Sequence, residues 1–514
     1  MMFSISAPAP ARARTFAVRA ALASLALALA ACATNPPAAR RAYVDPIGVF
    51  PMAGYDQNVD HWIDPASSHY DTPFLSEQAQ RAHWNAYLAR YFGTGERDAS
   101  PWNPAYIANR LYGQGGSDIV DLQLRRIGNY DNEGKPARAI GYGQNYRPHT
   151  ARWIYAIEQN MNLQQFAQAP HYVATARAIS TDALLVRELP TMDPSFYSHK
   201  LAGEGYPFDN LQISSVRPGT PLYVIGHSVD GAWDYVQTPE VQGWVPASGV
   251  GFVDDAFVAA WSHRSSNEWG VVIEASAPVS DTTGIFRFNA TAGTLLPLAQ
   301  GGSSGAASQY TVLVPARDTD GRAVLRQARL TAAAIAPAPL TATPRHLALL
   351  IKSLIGRPYG WGNMNFYNDC SSELQSIFSA FGVWLPRHSS AQMTAGEMTD
   401  LSSSTPSQRI DYLVEHGQPM RTLVYIGGHV MLYLGNTTRD GHTVPLVYQD
   451  IWGLSPADDS RRAVIGGSVI FPLELTIRED PSLRSLAATR IFQVSVLGMP
   501  SGAAPPPTEE NPAS

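Results

Sequence analysis

The chain has 514 residues, room for roughly three or four domains, with 45% hydrophobic and 16% charged residues; this buries ordinary cores and excludes a disordered polyanion. A net charge of −6 and a pI near 6.1 give no basic surface for nucleic acid or an anionic membrane. The 41 glycines and 39 prolines predict many turns, and the only cysteines are Cys32 and Cys370.

At the start, Arg12, Arg14 and Arg19 precede the apolar run "AALASLALALAA", too short to span a bilayer comfortably, and "LAAC" closes it at Cys32. Residues 1–31 therefore read as an export signal, and 32–44 as a tether. "LAAC" resembles a bacterial lipobox, which implies a lipid anchor on Cys32. By the same resemblance, Ala33 in place of aspartate implies an outer-membrane lipoprotein facing the periplasm of a Gram-negative cell. With Cys32 taken by lipid, Cys370 has no intramolecular disulfide partner. A lone thiol in an exported protein is either a small buried hydrophobe or a working group, and its surroundings must decide.

Residues 45–168 carry helical patches. "SEQAQRAHWNAYLARYFG" places Ala79, Ala82, His83, Ala86, Tyr87 and Tyr91 at three- and four-residue spacings and stops at Gly93; "RPHTARWIYAIEQNMN" puts Trp153, Ile154 and Ile157 on one face. From 169 the pattern changes to short β-rich runs cut by Gly, Pro and Asp. "GAWDYVQ" and "GWVPASGV" are typical of an SH3-like barrel over 169–252, and a second β-rich block over 253–336 predicts another. "GHSVDG" fails as an esterase elbow because Asp230 stands where glycine is needed. After an Ala/Pro linker, Thr343 caps and Pro344 opens a helix striped by Leu347, Leu350, Ile351 and Leu354. Residues 337–498 read as an α+β unit, and 499–514 as a disordered tail.

Leu374, Ile377, Phe378 and Phe381 predict a buried amphipathic helix stopped by Gly382, with Cys370 at its N-terminus and off the stripe. Free N–H groups and the positive dipole end at such a position favour a thiolate and suit an oxyanion. A nucleophilic thiol needs a base. "TLVYIGGHVMLYLG" offers His429 on a strand, next to Gly427 and Gly428; the bland alternative is a polar residue on a half-exposed strand. "PLVYQDIWG" then offers Gln449 or Asp450 to orient the imidazole, and strand alternation lets only one of them point there. His388, His416, His429 and His442 show no metal-ligand spacing, so neither metal nor other cofactor is expected.

"PYGWG", "DCSSE", "LPRHSSAQ", "GHVMLYLG" and "VYQDIWG", in this order, resemble the NlpC/P60 family of papain-like cysteine peptidases. The whole layout resembles a subgroup with a helical N-terminal stabilising domain, two bacterial SH3-like domains and a C-terminal α+β papain-like peptidase. The resemblance implies a peptidoglycan hydrolase that cuts the bond between γ-D-glutamate and a diamino acid in stem peptides, and a monomer is expected. It makes Cys370 the nucleophile, His429 the base and Gln449 the orienter, with Tyr359 facing the reaction centre and Asp369 and Ser371 binding a free L-alanine amine. Asn363 and Ser372 depart from the pattern, each standing where glycine is usual. Two other readings remain open: an amidase or acyltransferase on the same scaffold, and a non-catalytic peptidoglycan-binding lipoprotein. The intact Cys370/His429 pair speaks against the last.

Overall fold

The computed structural model describes residues 47–168, 170–265, 268–299 and 308–500. Cys32, the leader, the tether and nearly all of the tail lie outside the described residues. The described chain opens with strand β1 (Ile47–Val49), followed by helices α1 (Glu77–Phe92), α2 (Ser117–Tyr130) and α3 (Ala151–Met161). Ser76 and Thr150 cap α1 and α3 by accepting from Ala79 N and Trp153 N. The sequence pattern gave no sign of α2.

These helices do not share a core of their own. Trp84 and Tyr87 of α1 join an apolar cluster with Leu347, Phe378 and Phe381, far along the chain. Ile119 of α2 and Ile154 and Ile157 of α3 instead pack with Trp233, Tyr235 and Trp244. Those aromatics belong to a seven-stranded antiparallel sheet made of β2 (Arg177–Ser180), β3 (Leu184–Arg187), β4 (Gln212–Val216), β5 (Pro221–His227), β6 (Trp233–Gln237), β7 (Gln242–Pro246) and β8 (Val250–Phe252). Its strand order is β4-β3-β7-β6-β5-β2-β8.

A short helix, α4 (Asp255–Ser262), leads into smaller antiparallel pieces: β9 (Trp269–Val272), β10 (Ala277–Ser280), β11 (Phe286–Ala290), β12 (Leu295–Pro297), β13 (Gln309–Arg317), β14 (Ala323–Thr331) and β15 (Ile335–Pro337). Trp261 and Trp269 are fully buried there.

The C-terminal unit contains α5 (Pro344–Leu354), α6 (Cys370–Ala380), β16 (Glu397–Asp400), α7 (Pro406–His416), β17 (Thr422–Tyr425), β18 (Val430–Arg439), β19 (His442–Leu454), β20 (Arg462–Pro472) and β21 (Gln493–Val496). Its sheet order is β1-β20-β19-β18-β17-β21-β16, so the segment before α1 supplies a parallel edge strand. Alternation divides the sheet faces as period two requires. Val430, Leu432 and Tyr448 pack with Leu374 and Phe378 of α6, while Met431, Tyr433 and Val447 pack with Ile410 and Leu413 of α7.

The expected burial of α6 extends right round the helix: every residue from Cys370 to Ala380 is buried. Its polar side meets protein instead of water. Arg217 donates to Ser376 Oγ at 2.9 Å, Gln375 donates to the Leu385 carbonyl at 2.9 Å, and Gly293 approaches Ser376 so closely that a Cβ would lie 2.8 Å from its carbonyl oxygen.

Candidate active site

Asp369 ends the turn before α6 and closes a capping box. It accepts from the Ser372 backbone N–H at 3.0 Å, and its own N–H donates to Ser372 Oγ at 2.9 Å. This anchors Cys370 at the first helical position. The thiol is 6% exposed, lines a cleft of about 620 Å³ and points its sulfur toward the Gly428 carbonyl, 4.0 Å away.

Gly427 and Gly428 have φ values of 80° and 86°, which only glycine adopts freely, and they turn the chain into β18. His429 follows directly. The sulfur therefore lies against the residue before His429, and the Val430 N–H after it also interacts with the thiol. His429 Nε2 stands 2.7 Å from Gln449 Oε1. With Oε1 accepting, Nε2 carries the hydrogen and Nδ1 keeps the lone pair. Asp450 does not reach the ring: it is 1% exposed, and neither of its carboxyl oxygens has a hydrogen-bond partner. Burial, then the charges of Glu373 and Asp369, push its carboxyl well above the usual range.

Burial works against the expected thiolate. Burial, helped by the Asp369 charge, pushes the Cys370 thiol up to about 12 despite the opposing Val430 N–H and Arg387 charge. Burial likewise lowers the His429 imidazole to about 4. Both shifts favour the uncharged forms, because desolvation at this position opposes the helix terminus.

Tyr359, Asp369 and Ser371 all line the cleft with Cys370. Sequence reasoning missed the group that organises them, Arg387. It donates to Asp369 Oδ2 at 2.6 Å, to Ser371 Oγ at 2.7 Å and to Ser214 Oγ of β4 at 2.9 Å. Burial alone would raise the Asp369 carboxyl, but the Arg387 charge and hydrogen bonds hold it below the usual range. Asp369 Oδ1 further accepts from the Ser371 hydroxyl, so little of this carboxylate is left for a ligand. A second missed residue is Glu188, which follows β3, lines the same cleft and has a buried Oε2 without a partner. Arg387 lies inside the "LPRHSSAQ" piece, which could have pointed to it, whereas no local pattern marks Glu188.

The two departures from glycine touch each other: Asn363 Nδ2 donates to Ser372 Oγ at 2.9 Å. Gly362 beside them has φ 59°, donates its N–H to Asp369 Oδ2 at 3.1 Å, and accepts at its carbonyl from Gln212 of β4 at 2.9 Å. The sheet of β2–β8 thus abuts the turn that carries the nucleophile.

Comparison with known proteins places these pieces. Residues 194–246 match an SH3 domain of SH3b1 type, 254–300 an SH3 domain of SH3b2 type, and 356–442 the NlpC/P60 family. The last match contains Cys370 and His429 and ends before Gln449. A solved NlpC/P60 endopeptidase from Photobacterium damselae subsp. piscicida is 28% identical, with a TM-score of 0.75, over 88% of this chain and 100% of its own. An NlpC/P60 family protein from Bacillus cereus ATCC 10987 is 18% identical, with a TM-score of 0.39, over 60% of this chain and 98% of its own. A comparison with curated protein sequences found no match. The chain carries two SH3 domains, of SH3b1 and SH3b2 type, ahead of an NlpC/P60 domain.

Proposed function

We propose that the chain is a cysteine endopeptidase of peptidoglycan stem peptides that cuts the γ-D-glutamyl–diamino acid bond through a thioester. The observation that carries this is a thiol at a buried helix N-terminus, held in a cleft against the Gly428–Val430 turn whose middle residue, His429, is tied to Gln449. The likeness to the Photobacterium endopeptidase supports peptide hydrolysis.

In the mechanism, His429 Nδ1 takes the thiol proton as Sγ attacks the γ-carbonyl carbon and the carbonyl π electrons move to oxygen. Backbone N–H groups at the start of α6, with the Tyr359 hydroxyl, hold that oxyanion. On collapse the C–N bond breaks, and imidazolium gives its proton to the leaving amine. His429 then deprotonates a water that attacks the thioester, and the thiol is restored. Gln449 keeps the ring in the required tautomer throughout.

Because Asp369 is already engaged by Arg387, the free amine of the substrate is assigned chiefly to Glu188, whose open oxygen is aided by the Ser371 hydroxyl at the same cleft. A lipid on Cys32 would hold the enzyme at the outer membrane, facing the wall.

Mass spectrometry of purified muropeptides incubated with the protein tests the assignment. Release of L-Ala-γ-D-Glu, abolished by Cys370→Ser, is the expected result. Separation of sugar from peptide would make it an amidase instead, and unchanged muropeptides would remove the hydrolase assignment altogether.

A further inference from the structure

Two carboxyl groups lie buried beneath the nucleophile and take no part in the mechanism above. Glu373 follows Cys370 by three residues, one turn along α6, and is 1% exposed. Asp450, on β19, is equally buried. The sheet brings the two acids into one cluster. Asp450 pairs across the ladder with Ser468 of β20, and Tyr448 stands two residues before it on the same face. Ser468 Oγ donates to Glu373 Oε1 at 2.8 Å, and the Tyr448 hydroxyl donates to the same oxygen. Both of these neighbours of Asp450 therefore end on Glu373.

The two acids are served unequally. Glu373 Oε2 accepts from Asn368 Nδ2 at 2.6 Å, so three donors converge on this carboxyl. Neither oxygen of Asp450 has a hydrogen-bond partner, and among the described residues no ion pair reaches either acid. Arg357 attracts Glu373 electrostatically, and Arg387 is taken up by Asp369. The groups that act on Asp450 through their charge are Glu373 of α6, Asp369 before it, the Cys370 thiol and the Tyr359 and Tyr448 hydroxyls. All of these are anionic when ionised, and β20 offers only the neutral Ser468 at the facing position. In such a place repulsion and lost hydration both favour one proton kept between two carboxyls. Three donors draw the charge to Glu373 and leave the proton to Asp450.

We propose that Glu373 and Asp450 hold one proton between them, resident on Asp450, and that Asp450 is a positioning residue whose neutrality lets negative charge develop at Cys370. When hydroxide takes that proton, a second carboxylate forms beneath Cys370 and Tyr359. It opposes the thiolate of the attack and the oxyanion that follows, and so sets an alkaline limit on the enzyme. The catalytic consequence rests on the peptidase assignment above; the shared proton does not.

Asp450→Asn keeps the shape of the side chain and cannot ionise. In urea unfolding between about pH 5 and 9, the native wild type holds a proton that the unfolded chain releases, so its unfolding constant should rise about tenfold per pH unit relative to the variant, levelling off where Asp450 ionises in the fold. Only the slope counts, so a constant cost of the amide cancels. The infrared difference between wild type and variant at neutral pH should show the carbonyl band of one protonated carboxyl. Iodoacetamide should alkylate Cys370 at equal rates in the two proteins below the levelling point, and about tenfold faster in the variant above it. The alkaline limb of kcat/KM on muropeptides should move up or vanish in the variant. Asp450→Leu, apolar and of similar size, gives the same comparisons if the amide prevents folding. Unfolding constants that stay parallel across this range, or a missing carboxyl band, overturn the shared proton. Equal alkylation rates at every pH overturn its effect on Cys370. If no muropeptide is cut, the peptidase assignment fails, while unfolding, infrared and alkylation still decide the proposal.

Discussion

Asn363 and Ser372, nine residues apart, are hydrogen-bonded to each other across the turn that delivers the nucleophile. Asn363 takes a left-handed conformation, φ 64°, which asparagine tolerates better than most residues, and spends its side chain on the helix cap. The two non-glycine residues therefore act as a unit. In a double-mutant cycle with Asn363→Gly and Ser372→Gly, thermal unfolding should show a coupling of about 0.5–1.5 kcal/mol. Ser372→Gly alone should cost more than Asn363→Gly, because it also removes the capping box. Strict additivity would show that the bond contributes nothing.

Gln449 is 1% exposed and meets His429 through Oε1, with its own Nε2 unpartnered. Its role is to fix a tautomer and a ring angle. Gln449→Ala should reduce kcat by about a hundredfold, within the range attributed to general acid–base catalysis, while KM changes little. A proportionate rise in KM with kcat preserved would instead make Gln449 a wall of the binding site.

A neutral resting pair has a distinct pH signature. The acid limb of kcat/KM should fall near pH 4, where His429 protonates, well below the ordinary imidazole value of 6.5. Because the folded state resists this proton, the unfolded chain binds more protons between those values, and this contribution to stability is lost as pH drops from about 6.5 to 4. Iodoacetamide should alkylate Cys370 slowly at neutral pH and faster as pH rises toward the thiol value of about 12. A rate constant for alkylation that is flat from mildly acidic to neutral pH would reveal a preformed thiolate–imidazolium pair.

Arg387 and Asp369 form a buried pair at 2.6 Å. Arg387→Met should destabilise the protein by about 3–5 kcal/mol by leaving the carboxylate without its cation. The sign of the acid dependence should also reverse. In the wild type, Asp369 sits below its usual range, so its stabilisation is present above the unfolded value and is lost as pH falls through the lowered one. In the variant, burial raises the carboxyl, and stability should fall as pH rises through the new value. Urea titrations across acidic pH measure both slopes, and parallel slopes would refute the pairing as the source.

What could be seen in the sequence was whatever local geometry writes: the cap and start of α6, the glycine pair before His429, and the glycine- and proline-cut strands of the SH3 domains. Contacts between distant segments left no such mark. Arg387 bridges Ser214 and Asp369, and Glu188 comes from another domain. The burial that works against a thiolate was hidden for the same reason. A helix terminus can be read locally, but the desolvation that opposes it comes from everything packed around α6. Gln449 and Asp450 illustrate the boundary between the two kinds of information: alternation sets them on opposite faces, and only the packed sheet shows which face holds the imidazole.

One wall of the cleft is Gln212 and Glu188, another is Cys370 and Arg387, and the strand beneath them is edged by residues 47–49. No excised fragment carries the complete mould. A chain clipped between modules keeps its sulfur but loses the shape that aims it, so the aim of the thiol belongs to the whole molecule.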